Sequence, residues 1–213
     1  LSGLVGSEMC IRDRNNTALG YQALVNNTYG THNTAVGVNA LAANTTGVWN
    51  TALGFGTLYA NTTGRYNTAL GFQSLNSNVS GNFNLAVGVQ ALFYSDGTSY
   101  NTALGYRSMF TNTIGDYNTS VGYQSLYSNT TGTYNIAMGH SALYYNTTGA
   151  RNIGIGYQAL LSNTIGGSNI GIGYSGVQGN TTGVGNIGIG YAALLTNTTG
   201  VYNLSLIHIS EPT

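Results

Sequence analysis

A short alternating run of small and aliphatic residues, Asn-Thr-Ala-Leu-Gly at residues 16–20, recurs along the chain with small variations. Position 2 of the run is mostly Thr or Ile, position 3 is small, and position 4 is aliphatic or Met. An alternation with a period of two is typical of a strand whose successive side chains point to opposite faces. The pattern therefore predicts a short strand, with positions 2 and 4 on one face and position 3 on the other.

The run returns at a fixed interval of 17 residues, without insertion or deletion. Its first asparagine marks 11 full repeats over residues 16–202, with the consensus N-T-A-L-G-Y-Q-A-L-x-x-N-T-T-G-x-Y. In a solenoid each repeat is one coil that contacts only its neighbours, and an insertion would shift every column of side chains after it. The constant length predicts coils stacked in register. The repeat asparagines are Asn16, Asn33, Asn50, Asn67, Asn84, Asn101, Asn118, Asn135, Asn152, Asn169 and Asn186, with Asn203 after the last repeat.

Two glycines in each repeat are predicted to supply corners. Glycine occupies position 5 in all 11 repeats and position 15 in all but one, where Thr98 replaces it. Position 12 is Asn except at Ser95. Glycine provides positive φ, and the Asn-Thr-Thr-Gly stretch has the residue types of a turn. The predicted structural corner at position 5 consists of Gly20, Gly37, Gly54, Gly71, Gly88, Gly105, Gly122, Gly139, Gly156, Gly173 and Gly190.

The segment between the corners, Tyr-Gln-Ala-Leu-x-x, has two interpretations. It could form a second strand, which we favour, or a short helical turn, because Gln, Ala and Leu are good helix formers. In either case the fold class is all-β, a parallel β-solenoid or β-roll of 11 coils of 17 residues, about 50 Å long at ~4.8 Å per coil. Positions 4 and 9 should form its core, with help from positions 2, 3 and 8. So thin a core suggests that further surface is buried between subunits.

Aromatic residues recur at repeat positions 6 and 17 and should form columns along the rod. We interpret the columns as stacks that stabilise the rod, in preference to a platform for a ligand. The candidate surface ladder at position 17 comprises Trp49, Tyr66, Phe83, Tyr100, Tyr117 and Tyr134.

Composition argues against several functions. Charged residues make up 5% of the chain and the net charge is zero, which disfavours nucleic acid as a partner. Cys10 is the only cysteine, and no apolar run reaches the ~20 residues of a membrane helix. His32 and His140 lie more than six coils apart, and the repeats hold only two acids, Asp96 and Asp116. We therefore predict no catalytic, metal or cofactor site and no enzymatic activity.

The runs N-T-A-L-G and N-I-G-I-G resemble repeats in the heads of trimeric autotransporter adhesins. The longer form N-T-A-x-G-Y-Q-A-L-x-x-N-T-T-G resembles repeats of bacterial and phage tail-fibre-like proteins. The resemblance spans residues 16–203 and implies a left-handed β-roll, a homotrimer and a place on a cell or virion surface. It also implies an adhesive or structural fibre segment that contacts a host receptor or glycan.

An alternative function is ice or carbohydrate binding through ladders of aromatic and threonine side chains. Regular Thr arrays can match a lattice, but these Thr residues sit beside a glycine corner instead of along a flat strand. The discriminating observations are the flatness of the column and thermal hysteresis in solution. The threonines concerned are Thr45, Thr62, Thr130, Thr147 and Thr164.

The two ends of the chain lack the repeat pattern. We predict that residues 1–14 and 205–213 do not belong to the natural protein and that the solenoid spans 15–204. These ends hold five of the ten charged residues, and their strings G-S-E-M-C-I-R-D-R and S-L-I-H-I-S-E-P-T resemble translated library-adaptor sequence. The alternative is that they are short caps, with Leu4, Val5 and Ile11 covering the first coil.

Overall fold

The computed structural model describes residues 15–206 and confirms an all-β parallel solenoid with one coil per 17-residue repeat. Its 12 strands have three residues each and follow one another in a single parallel sheet in chain order. The strands are β1 Thr17–Leu19, β2 Thr34–Val36, β3 Thr51–Leu53, β4 Thr68–Leu70, β5 Leu85–Val87, β6 Thr102–Leu104, β7 Thr119–Val121, β8 Ile136–Met138, β9 Ile153–Ile155, β10 Ile170–Ile172, β11 Ile187–Ile189 and β12 Leu204–Leu206.

The register between neighbouring strands equals the repeat length throughout. Thr17 pairs with Thr34, Thr34 with Thr51, and Ile187 with Leu204. Each column of the sheet therefore contains the same repeat position in successive coils. At ~4.8 Å per step, the strands from β1 to β12 form a sheet about 53 Å long.

The favoured second strand is not present in the described residues, and positions 6–11 form consecutive turns. The backbone at positions 7 and 9 is left-handed, as at Gln73 (φ 52°) and Leu75 (φ 50°). A strand and a right-handed helical turn both need negative φ at every residue, so neither can form here. The turns nevertheless bond from coil to coil, since the Leu75 N–H donates to the Ala91 carbonyl at 2.9 Å.

The strand faces the opposite way from the prediction. The small residue at position 3 is fully buried, as at Ala52 and Ala69, whereas the aliphatic residues at position 4 reach the surface. The reason is the narrowness of the coil: a Cβ added to Gly154 at position 3 would already lie 3.2 Å from the Leu143 side chain. Leucine at position 9 fills the interior, and only a side chain as small as alanine or Ser120 fits opposite it.

Two columns of buried asparagines complete the interior. At position 1, Asn50 accepts the Asn67 backbone N–H at 3.0 Å, and its own Nδ2 donates to Asn33 Oδ1 at 3.1 Å and to the Gly64 carbonyl at 2.8 Å. At position 12, Asn61 Nδ2 donates to Asn44 Oδ1 at 2.8 Å and to the same Gly64 carbonyl at 3.2 Å. Burying an amide costs free energy unless it is hydrogen-bonded, and these ladders satisfy the amides by repetition.

Glycine is required at repeat positions 5 and 15 for different reasons. At position 5 the glycines have φ between 116° and 137°, and each stacks on the carbonyl of the next. At position 15 the φ is not positive, which contradicts the prediction of a second positive-φ corner. A Cβ on Gly64 would instead collide with the Asn61 side chain and lie 2.5 Å from the Gly81 carbonyl oxygen. Glycine is needed there because the asparagine ladder leaves no room.

One coil breaks the asparagine ladder at position 12. Ser95 is too short to reach its neighbours and donates to the Leu92 carbonyl at 3.0 Å. As a result, Asn78 Oδ1 and the buried Thr98 hydroxyl have no hydrogen-bond partner. The exceptions Ser95 and Thr98 explain each other, because the missing asparagine side chain frees the space that the Thr98 Cβ occupies.

The predicted flanks lie almost wholly outside the described residues. Residues 1–14, including Leu4, Val5 and Ile11, and residues 207–213 are outside them. Within the described part, β12 extends to Leu206, two residues beyond the predicted boundary at 204.

Candidate functional site

The position-17 aromatics stack into one continuous column. From Trp49 to Tyr134, successive ring centroids are 4.8–5.1 Å apart and the rings are tilted by 9° or less. His32 continues the stack at one end, 5.2 Å from Trp49. Each of these residues has a left-handed backbone, such as φ 57° at Tyr66, which turns its side chain outward. The column offers solvent only the edges of its rings, because neighbouring rings cover their faces.

Tyr117, within this column, is a weaker acid than an unperturbed tyrosine. The pKa of Tyr117 is raised above its ordinary value, first because neighbouring groups displace water from the phenol. The negative charges that Tyr100, Tyr134 and Asp116 would carry add a smaller repulsion. The Tyr117 phenol therefore stays protonated to a higher pH than an unperturbed tyrosine.

Position 6 forms a second column on the other side of the glycine corner. Tyr106, Tyr123, His140, Tyr157, Tyr174 and Tyr191 stack there at 4.8–5.3 Å, and Phe55 stacks on Phe72 at 5.4 Å. His140 thus replaces an aromatic ring within this stack, and His32 does so within the other. The two histidines belong to different columns and are not brought together.

The structure contains a third aromatic column that was not predicted from the sequence. Position 10 stacks Phe93, Phe110, Tyr127 and Tyr144 at 4.9–5.4 Å, and the Arg107 guanidinium lies 5.2 Å from the Phe110 ring centre. Desolvation of Tyr144 raises the pKa of its phenol, followed by repulsion from Tyr127 and Tyr145. The fixed 17-residue spacing could have revealed this column, but only four successive repeats carry it.

The outward face of the sheet is mostly apolar, with threonine as its polar component, and it is free of charge. We call positions 2 and 4 of the coils from β1 to β11 the outer sheet face. Its most exposed aliphatic residues are Leu19, Leu53, Leu70, Met138 and Ile189, each at least 40% exposed. No Asp, Glu, Lys or Arg occupies position 2 or 4 in any repeat.

The apolar character of this side of the rod is maintained along its length, although the columns that supply the apolar side chains change. The aromatic column at position 17 ends at Tyr134 and gives way to Arg151, Ser168 and Gly185. Position 2, which points outward beside it, changes from mainly Thr to Ile at β8 and stays Ile through β11. Apolar bulk is lost at one position where it is gained at the other.

The threonine column at position 13 uses its hydroxyls within the rod. Thr45 Oγ1 donates to the Thr62 carbonyl at 3.1 Å, and Thr147 Oγ1 donates to the Thr164 carbonyl at 3.1 Å. Thr130 and Thr164 make the equivalent bonds at 3.0 Å. These donated protons are not available to an ice lattice or to a crystalline polysaccharide.

Two cavities open beside the position-7 column, each where a repeat has a small residue there. The first has a volume of about 260 Å³ and is lined by Asn39, Phe55, Gly56, Tyr59, Gln73 and Asn76. The second has a volume of about 200 Å³ and is lined by Gln124, Ser141, Tyr144, Tyr145, Gln158 and Leu161. Neither cavity was predicted from the sequence, because position 7 lies in the segment that had two interpretations.

Residues 15–206 contain no group of three or more His, Cys, Asp or Glu side chains that could hold a metal ion. Within the same residues, no helix is long and apolar enough to cross a membrane. No protein-family model matches the chain, and neither a curated protein nor a solved structure is significantly similar to it.

Proposed function

We propose that this solenoid is a structural and adhesive segment of a surface fibre, of the bacterial-surface or phage tail-fibre-like kind, and that it carries out no catalysis. The observation that supports this proposal is the uncharged, mostly apolar outer sheet face, which runs along the whole described rod. An extended shape with a repeating lateral surface suits a fibre. The repeat resemblance assigns the fibre to the outside of a cell or virion.

The fibre is a homotrimer in which the outer sheet face is buried between copies. The outer sheet face together with the neighbouring position-17 column, in which Arg151 is the one charged residue, is a strip about 16 Å wide and ~53 Å long, hence about 800 Å². Soluble monomers rarely expose apolar patches larger than about 300–600 Å². A stable protein interface buries about 800 Å² per partner, so the strip is large enough for one. The repeat resemblance supplies the number of copies.

Light scattering on the full chain tests this assembly. The expected mass is three times the chain mass of 22.2 kDa. Replacing Leu53 and Met138 by glutamate places an unpaired charge on the face at two separated coils, and the trimer should dissociate into folded monomers.

Thr63→Glu with Thr148→Glu is the matched control. Both residues are exposed at position 14, outside the outer sheet face, so this variant should remain trimeric. A wild-type chain that is monomeric, or a Leu53/Met138 variant that stays trimeric, would overturn the assembly.

The ice- or crystal-binding alternative is less well supported, because its threonine hydroxyls donate to the next coil. The aromatic ladders also cover their own ring faces, which a sugar would need to contact. A thermal-hysteresis measurement on the wild type should show no effect, and a clear hysteresis would favour the alternative instead.

A further inference from the structure

We propose that the cavity at Gly56 is a binding site for a single neutral sugar unit, and that the cavity at Ser141 is a second site of the same kind. This inference specifies the ligand class of the proposed adhesive role and rests on that role. The two positions are 85 residues, or five coils, apart on the same lateral side of the rod. The spacing between them is therefore about 24 Å.

A missing side chain creates the first cavity. In the three coils that follow, neighbouring position-7 side chains bond to one another: Gln90 Nε2 donates to Gln73 Oε1 at 3.1 Å, and Arg107 Nε donates to Gln90 Oε1 at 2.8 Å. Gly56 interrupts this ladder between Asn39 and Gln73. The gap opens a volume of about 260 Å³.

The same gap leaves a hydrogen-bond acceptor unused. Asn39 is one of the residues that line the cavity, and its Oδ1 is buried without a hydrogen-bond partner. A ligand hydroxyl that turned this carboxamide toward the cavity would give the unpaired acceptor a donor. Asn76 is held in place, because its Nδ2 donates to the Gly56 carbonyl at 2.8 Å.

The cavity also offers an aromatic ring face, which the aromatic ladders do not. Tyr59 is 46% exposed, and its neighbours in the position-10 column are Ala42 and Asn76. Its ring is therefore not covered by another ring, unlike the rings of Phe93 to Tyr144 in the same column. A pyranose can place its C–H face on such a ring while its hydroxyls reach the surrounding carboxamides.

The residues that line the first cavity carry no charge, which favours a neutral ligand. Three carboxamides and two aromatic rings surround Gly56, and none of the six lining residues is ionisable at neutral pH. Carboxamides both donate and accept, which matches vicinal hydroxyls. Phosphate and acidic sugars would need a cation to compensate the desolvation of their charge. The volume lies just below the range of about 300–1,000 Å³ for drug-sized ligands, so one sugar unit fits and an oligosaccharide does not.

The second cavity repeats the design. Ser141 is the short residue at position 7, and Gln124 and Gln158 flank it in the neighbouring coils. Tyr145 and Tyr144 supply the rings; Tyr144 stacks on Tyr127 on one side only, because Leu161 follows it in the position-10 column. In both cavities, a small residue at position 7 is combined with a tyrosine at position 10 of the same coil. Two weak sites on each chain would bind a glycan-coated surface by multivalency.

Frontal affinity chromatography on the immobilised full-length chain measures both affinity and site number. The probes are methyl glycosides of glucose, galactose, mannose and N-acetylglucosamine, with glucuronate as the acidic comparison. We expect two sites per chain for at least one neutral glycoside, with dissociation constants on the order of 1 mM. Glucuronate should bind at least tenfold more weakly.

Filling the cavities with the consensus residue tests their location. A Cβ on Gly56 would meet nothing closer than 3.5 Å, so Gly56→Gln should fold. We expect Gly56→Gln and Ser141→Gln each to halve the capacity, and the double variant to abolish it. Ala192→Gln places the same residue at position 7 of a coil whose residues line neither cavity, and its capacity should equal that of the wild type.

Three results would overturn the sites: no binding of any neutral probe, equal binding of glucuronate, or an unchanged capacity in the double variant. Light scattering on the same samples separates this inference from the assembly. A trimer without sugar binding overturns the sugar sites alone, whereas a monomer that binds sugar overturns the trimer alone.

Discussion

Single residues in this coil are constrained mainly by backbone conformation. Positions 7, 9 and 17 have left-handed backbones although most of them are not glycine, for example Leu92 (φ 50°) and Phe83 (φ 57°). Such conformations cost about 1–2 kcal/mol each for an L residue. They persist because each is repeated in every coil, where backbone bonds, leucine burial and ring stacking offset the cost. Glycine is indispensable only where a Cβ has no space.

Gly54→Ala and Gly56→Ala should differ sharply, although the residues are two positions apart. At Gly54 a Cβ would lie 2.7 Å from the Gly71 carbonyl oxygen, in addition to the strain of φ 131°. At Gly56, with φ 62°, nothing lies closer than 3.5 Å. We expect a loss of more than about 3 kcal/mol in unfolding free energy for Gly54→Ala and about 1 kcal/mol for Gly56→Ala. Urea unfolding would measure both, and similar losses would contradict the steric argument.

Stability should fall at alkaline pH through the stacked tyrosines. Because the pKa values of Tyr117 and Tyr144 are raised in the folded state, the folded chain keeps protons that the unfolded chain has lost. Their contribution is complete below about pH 10, the pKa of an unperturbed tyrosine, and is lost as the pH rises through the folded-state pKa.

The Tyr117→Phe/Tyr144→Phe variant should therefore lose less stability than the wild type above pH 10. Thermal unfolding from pH 8 to 12 by circular dichroism measures the difference. Tyr21→Phe is the control, because Val38 follows it in its column and provides no ring to stack on. An equal alkaline loss in the variant and the wild type would contradict the prediction.

Each coil, taken as an element, is a three-residue strand followed by turns that wrap around two asparagines. The carbonyl of the position-15 glycine accepts from both asparagine columns, as Gly64 does from Asn50 and Asn61. This shared acceptor joins the start of a coil to the turn near the end of the same coil. Asn50 also bonds to Asn33 and Asn67, so its loss would affect both neighbouring coils.

Repair of the broken ladder should stabilise the rod only when two residues change together. Ser95→Asn alone should cost about 1–3 kcal/mol, because the new side chain meets the Thr98 Cβ. Thr98→Gly alone should be nearly neutral. In the double variant, the amide introduced at position 95 should donate to Asn78 Oδ1 and accept from Asn112 Nδ2, a gain of about 1–3 kcal/mol.

A double-mutant cycle measured by urea unfolding would give the coupling free energy between the two positions. We expect at least about 1 kcal/mol in favour of the pair. Additive effects would mean that Ser95 and Thr98 do not compensate for each other.

The sequence predicted the coils but not the shape of each coil. The 17-residue interval was sufficient for the parallel register, because equivalent residues must stack. Alternation along Thr-Ala-Leu showed two faces without showing which one is buried, and the larger residues were wrongly placed inside. The turns of positions 6–11 depend on left-handed residues such as Leu75, which composition does not reveal. The cavities depend on one absent side chain, Gly56, within an otherwise regular column.

At the scale of the described rod, the chain is a stack in which each strand pairs only with those of the coils before and after it. Its length is therefore set by the number of repeats, and its cross-section by the sequence of one repeat. The outer sheet face has the same character whichever coil is considered. The number of repeats can thus change the length of the rod without changing the surface through which rods associate side by side.

Deletion of one repeat should leave a shorter but intact rod. Removing residues 119–135 joins Asn118 to Ile136, which restores the consensus order of positions 1 and 2. The rod should shorten by ~4.8 Å and keep its circular dichroism per residue. Removing only residues 119–127 shifts every later column and should prevent folding of the coils after it. Small-angle scattering would compare the two, and a folded rod after the nine-residue deletion would contradict the stacking register.

The direction of the inter-coil hydrogen bonds has a mechanical consequence. These bonds lie along the rod axis, so a pull on its two ends loads them one coil after another. A released coil of 17 residues extends to about 58 Å, compared with ~4.8 Å while stacked. Under load the rod would lengthen in steps of about 53 Å, and each step dissipates work before the next coil opens. A tether built this way yields gradually under shear, and its coils can rewind when the force falls.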